Sequence, residues 1–174
     1  MTPDKEKDQL RSAAVGIAAL RVWLGAWFLM TAALKLPVWG HGFDFPSRLR
    51  PWLEAAAEHG AHPAYAPVLD FLTRYVTAVI AVTTGLELLI GLALLLGLFT
   101  RPATLVAILL YANYWLASAR LGYATAGISL TIAVTAACLC LANAGRFYGL
   151  DAVRARRKES SLAPPLSSSV LPRS

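Results

Sequence analysis

The sequence predicts an all-α fold, a polytopic membrane four-helix bundle with a short outer-face amphipathic helix in its first loop. Composition is the first reason. Hydrophobic types fill 57% of the 174 residues and charged types 15%, against about 45–50% and about 25% in an ordinary soluble domain. Patterning is the second. The apolar residues gather into four stretches, about Ala13–Leu36, Tyr75–Phe99, Pro102–Ala119 and Tyr123–Ala142. Each has the length, roughly 20 residues, that crosses a bilayer. The third is what the runs lack. None alternates apolar and polar residues with period two, which excludes a barrel. The same composition excludes a disordered chain and a disulfide-stapled secreted module.

Residues 1–12 form a cytoplasmic N-terminal segment. It carries as many acids (Asp4, Glu6, Asp8) as bases (Lys5, Lys7, Arg11), and no small-residue cleavage site follows it. The first run therefore reads as a retained helix rather than a signal peptide. Residues 13–151 make the membrane domain. Its second and third runs are joined only by Thr100 and Arg101, and its third and fourth by Arg120, Leu121 and Gly122. Each junction predicts a tight antiparallel pair. Residues 152–174 hold a basic cluster, Arg154–Lys158, and then a Ser- and Pro-rich tail read as disordered.

Basic residues set the orientation. Ten fall on the side of the two termini and the Arg101 turn, and four (Arg48, Arg50, Arg74, Arg120) on the other. Both termini are then cytoplasmic, and the long connection Pro37–Arg74 faces outward. Within it, Pro51–His59 reads as a short helix starting at Pro51, with Leu49, Trp52, Leu53 and Ala56 on one face and Glu54 and Glu58 toward water. The connection also carries Trp39, Phe43, Phe45, Tyr65, Phe71 and Tyr75. These rings form either an aromatic belt or a cleft for a flat apolar ligand such as a quinone. The net charge of +6 is a topology signal with an anionic-lipid component. No motif connects it to nucleic acid.

Charges inside the bilayer point to a site, because they are costly and are held in pairs or used in function. Arg21 lies roughly 13 Å into the first span and Glu87 roughly 15 Å into the second, counted from the cytoplasmic ends at 1.5 Å per residue. The matching depths predict an Arg21–Glu87 ion pair, either a structural register pin or a proton- or substrate-handling site. Lys35 stands nearly above Arg21, close enough to the outer end to snorkel. Gly25, Phe28 and Ala32 continue the Arg21 stripe, and Thr84, Glu87 and Gly91 form the matching one, its glycine allowing close helix approach. On the third helix Tyr111, Tyr114 and Ser118 share a face beside Asn113 and Trp115. Ser129, Thr131, Thr135 and Asn143 supply polar groups on the fourth, read first as interhelical hydrogen bonds.

All three histidines (His41, His59, His62) fall in the outer loop, so no bis-histidine haem is expected in the bundle and no metal site is assigned. Cys138 and Cys140 point to different sides of a helix and read as small core residues. No dinucleotide fingerprint, phosphate loop or nucleophile elbow appears. No tightly bound cofactor is expected, and redox chemistry would need a diffusible quinone or a partner subunit.

Several segments match a known pattern. Gly85–Arg101 reads GLELLIGLALLLGLFTR and is followed by Pro102-Ala103. Arg21 with Gly25, then Lys35-Leu36, fit the first helix, Asn113-Tyr114 the third, and Gly145–Asp151 the ending after the fourth. Over about Leu20–Asp151 the chain resembles the DoxX family, which includes the DoxD-like small subunit of thiosulfate:quinone oxidoreductase. The resemblance implies a multi-pass protein of a prokaryotic plasma membrane, linked to quinone-coupled oxidation of sulfur compounds or to thiol redox complexes. It also implies that Arg21, Lys35, Glu87 and Arg101 are the polar residues that matter. The thiosulfate enzyme has a second component with no counterpart in this sequence, so catalysis by this chain alone is not expected.

Two readings follow. In one the chain is a quinone-interacting subunit of a membrane oxidoreductase. Glu87 and Arg21 are then the candidate catalytic pair, with Lys35, Tyr111, Tyr114 and Trp52 around the quinone and Arg101 in a structural or topological role. In the other it is a non-enzymatic scaffold for a redox partner, or a small-solute permease. The lipid bilayer is a partner in both, and homo-oligomerisation is left open.

Overall fold

The computed structural model describes residues 2–36, 45–60, 65–118, 123–154 and 157. Among them every regular element is helical: α1 Pro3–Lys35, α2 Phe45–Ala55 running into a π-helical turn Ala56–Gly60, α3 Ala66–Arg74, α4 Val76–Leu96, α5 Thr100–Ser118 and α6 Tyr123–Leu141, closed by a 3₁₀ turn Ala144–Arg146. Trp39, Phe43, His41, His62, the Arg120–Gly122 turn and the tail from Lys158 lie outside the described residues.

The four apolar runs become α1, α4, α5 and α6. α1 starts ten residues before its apolar run. Pro3 sits in its first turn with Asp4 and Glu6, where a missing N–H costs nothing and acidic side chains meet the positive end of the helix dipole. α4 ends at Gly97, in the left-handed conformation (φ 62°), with the Leu98 N–H bonded back to the Ala93 carbonyl at 2.9 Å. A glycine adopts that conformation without the Cβ penalty. Two described helical segments, Asp4–Lys35 and Val76–Leu96, are long and apolar enough to cross a membrane, and Ala126–Leu141 is apolar but shorter. α5 has 19 residues but interrupts its apolar run with Thr104, Asn113 and two tyrosines.

Packing departs from the connectivity. The most extensive contacts are between α1 and α4 and between α5 and α6, while α4 and α5, despite their short link, touch less. The fold is thus two close pairs, (α1, α4) and (α5, α6). Leu24, Phe28, Ile90, Leu94, Ala107, Tyr111, Ile132, Ala136 and Leu139 fill the core between them. The outward surface is itself apolar, with Val82, Leu89, Leu109, Leu130 and Val134 all exposed. Exposed apolar surface on this scale suits a hydrocarbon surrounding, not water.

A smaller cluster caps one end. Leu53, Ala56 and Leu69 pack on Val76 and Ala117, with Leu49, Trp52, Tyr65 and Leu72 alongside. The expected face of the short helix is therefore present, and Glu54 and Glu58 are exposed. Its start differs: α2 begins at Phe45, and Pro51 lies inside it. Pro46, in the first turn, takes the position expected of Pro51. α3 is an element with no sequence expectation behind it. Cys138 is exposed rather than core, and Cys140 is half-buried.

Candidate functional site

The register of α1 against α4 is set by two glycines. A Cβ on Gly25 would lie 3.0 Å from the Gly91 carbonyl, and one on Gly91 would lie 2.7 Å from Leu29. Backbones this close leave no freedom to slide. The register carries Lys35 one turn past Glu87, and because helical side chains lean toward the N-terminus, Lys35 reaches back to it. Lys35 Nζ donates to both carboxylate oxygens of Glu87, at 2.6 and 2.7 Å. Glu87 is 1% exposed and Lys35 13%. The Tyr114 hydroxyl donates to Glu87 Oε1 at 3.3 Å, and Lys35 Nζ lies 5.8 Å from the Tyr114 ring centre. One turn below, Tyr111 accepts a hydrogen bond from Trp27 Nε1 at 2.9 Å and packs edge-on against Phe28 and Tyr114.

Above this pair is a partly open cavity of about 400 Å³, lined by residues of all six helices, among them Lys35 of α1, Trp52 of α2, Leu72 of α3, Thr83 of α4, Asn113 and Tyr114 of α5, and Ser129 of α6. It lies between the two helix pairs, under the cap. Its lining is mainly apolar, with Lys35 and Tyr114 on one wall and Glu87, bonded to both, buried outside the lining. The Asn113 side-chain amide donates to the Tyr65 hydroxyl, tying α5 to the start of α3. Burial holds the Tyr65 phenol above its usual value, and the Asn113 bond opposes that shift.

Arg21 is not part of this site. The predicted Arg21–Glu87 pair is absent, because the depths were counted from the ends of apolar runs rather than from the glycine contact. In the actual register Arg21 lies beside Gly97, at the far end of α4, where a Cβ on that glycine would come within 2.8 Å of its guanidinium. Arg21 Nη1 donates to the carbonyls of Ala144 and Phe147 at 2.9 Å, and Nη2 to that of Tyr148 at 3.3 Å. Asp151 accepts from the backbone N–H groups of Phe99 and Thr100, both at 3.1 Å, and so caps α5. Arg21 and Asp151 together fasten the segment after α6 to the α4–α5 turn. Arg101 is exposed on the first turn of α5.

Of the sequence candidates, the structure brings Glu87, Lys35, Tyr114 and Trp52 together, with Tyr111 adjacent. Thr131 and Thr135 hydroxyls bond carbonyls of their own helix, Gly127 and Thr131, rather than a neighbour. Among the described residues no group of His, Cys, Asp and Glu is arranged to hold a metal ion. Sequence reasoning missed the roles of Tyr65 and Thr83. Tyr65 was one ring among many in a loop, and only the Asn113-Tyr114 doublet hinted that two adjacent polar residues serve one cavity.

Residues 67–171, more than half of the chain, match the family described as TQO small subunit DoxD. The chain belongs to the DoxD family. The match takes in Glu87, Arg101, Tyr111, Asn113 and Tyr114, whereas Arg21, Lys35 and Trp52 precede it. Membership and the apolar helices together make this a membrane protein of a family that serves as an oxidoreductase subunit. No match is found among curated proteins or among solved structures.

Proposed function

We propose that this DoxD-family chain is the quinone-binding membrane subunit of an oxidoreductase complex of sulfur-compound or thiol redox chemistry. The observation that carries the reading is the cavity: apolar walls that suit a ring, and one polar wall of Lys35 and Tyr114, both bonded to the buried Glu87. A quinone supplies a two-electron, two-proton acceptor, and the electrons come from a redox partner subunit. Lys35 and Tyr114 both line the cavity, and both donate to Glu87. Glu87, bonded to both, balances the Lys35 ammonium charge and holds the two side chains at the cavity wall. Trp52 covers the ring from the cap. In this reading α1, α4, α5 and α6 all cross a plasma membrane with both termini cytoplasmic, and α2 lids the bundle at the outer face.

The cavity's surroundings favour this over a permease. Between it and the Arg21 end, Leu24, Phe28, Leu94 and Leu139 are 0–1% exposed, which supports a site open toward one end only.

The test is equilibrium titration of the purified chain in lipid nanodiscs with a decyl-benzoquinone, read by tryptophan fluorescence. Saturable one-to-one binding is expected, weakened about tenfold in Glu87→Gln, as for loss of one charge-assisted hydrogen-bond partner. An unchanged signal in the wild type overturns the reading and leaves a scaffold for a redox partner.

A further inference from the structure

The cavity has a second polar pole at Asn113. Asn113 and Tyr114 are consecutive on α5 and so diverge by about 100°, yet both line the same cavity. Tyr114 turns toward Glu87. Asn113 turns toward the cap, where its amide meets the Tyr65 hydroxyl. A side-chain amide has two N–H donors, and a phenol that accepts a bond keeps its own proton. One N–H is taken by Tyr65. The other makes no hydrogen bond among the described residues, nor does the Tyr65 proton. The Ser118 hydroxyl, by contrast, is spent on the Tyr114 carbonyl at 2.8 Å. Leu49, Leu53, Leu72, Val79 and Ala117 supply apolar wall, and the Thr83 hydroxyl is bonded to the Ile80 carbonyl, which leaves Trp52 Nε1 and the Ser129 hydroxyl as the other polar groups of the lining.

We propose that Asn113, oriented by Tyr65, binds the far carbonyl of a para-quinone, so that the site selects a ring with acceptors on opposite edges. The proposal rests on the quinone reading above and adds a binding residue and a rule of specificity. One carbonyl faces Lys35 and Tyr114 in the bundle. The other faces the second N–H of Asn113, whose amide Tyr65 holds from the cap side. A ligand with a single polar head takes the charged Lys35 pole and leaves the Asn113 pole desolvated, and such a loss is what lets a site discriminate. Ionisation of either group is not required, so quinone recognition at this pole is indifferent to pH near neutrality.

The full chain in zwitterionic nanodiscs is titrated with two probes sharing one decyl tail: a para-benzoquinone, and a cyclohexenone with a single carbonyl. Asn113→Leu keeps the volume and removes the amide. It is expected to weaken the quinone about tenfold while leaving the cyclohexenone within about twofold, the difference of one hydrogen bond to a buried acceptor. Tyr65→Phe, which removes one oxygen and disturbs folding least, is expected to act in the same sense by about threefold through looser positioning of the amide. Equal loss for both probes in both variants overturns the proposal, since it signals general damage to the cavity. So does quinone binding that neither substitution changes, which leaves the quinone reading standing. Failure of the wild type to bind the quinone overturns both.

Discussion

Glu87 meets Lys35 rather than Arg21 because helix register, not depth within an apolar run, decides which charges meet. Replacing one member of this pair strands the other in an apolar interior, where a buried unpartnered charge costs about 3–5 kcal/mol. Lys35→Met alone is therefore expected to lower the thermal unfolding midpoint sharply. The double variant Lys35→Met, Glu87→Leu is expected to recover most of the loss, because a well-packed apolar pair replaces an ion pair at little cost. Thermal unfolding of the three proteins side by side checks this, and a double variant no better than the single one would contradict it. The residues of the site were legible because charge and tyrosine are rare in such runs. Their partners were not. Arg21, Lys35 and Glu87 allow two pairings, and only the closeness of Gly25 to Gly91 chooses between them. Nothing in the sequence ties Tyr65 to Asn113, since 48 residues separate them.

At the level of the helices, close approach is what holds the α1–α4 pair. Gly91→Leu drives a side chain into Leu29, already 2.7 Å from where a Cβ would stand. Overpacking of this kind costs about 1–3 kcal/mol, and the register of Lys35 on Glu87 shifts with it. The variant is expected to lose quinone affinity as well as stability, measured by the same titration and melt. Gly16, which has open space around it, is the control: Gly16→Ala is expected to change neither. At the other end Asp151→Ala removes the acceptor for the Phe99 and Thr100 N–H groups, a cap whose loss is worth about 1 kcal/mol, and quinone affinity is expected to stay unchanged. The four long helices were readable from their apolar runs, to within a few residues everywhere but the start of α1. There, charged helix formers after Pro3 extended the helix beyond its apolar part. α3 was hidden because a nine-residue helix in an aromatic-rich loop has no long periodic pattern.

Taken as a whole, the described part of the molecule is apolar along its helix surfaces and polar in two internal places, the Lys35–Glu87 pair and the Arg21 clasp. The proposed orientation makes a direct prediction. In a variant with Cys138 and Cys140 changed to Ser, a cysteine replacing Glu54 is expected to react with an impermeant maleimide in intact cells, and one replacing Arg154 only after permeabilisation. The opposite labelling would invert the orientation. The division into two helix pairs could not be inferred from connectivity, because short turns favour α4 beside α5 while the glycine contacts draw α4 to α1. The Arg21 clasp also carries a consequence for biogenesis. The carbonyls that receive its guanidinium lie 123 to 127 residues downstream, so during translation the first helix emerges with a cation whose acceptors do not yet exist. The nascent chain must hold that arginine near the lipid headgroups until the last helix is made, and a ribosome-stalled chain ending before Ala144 is expected to remain sensitive to membrane proteases that the finished protein resists.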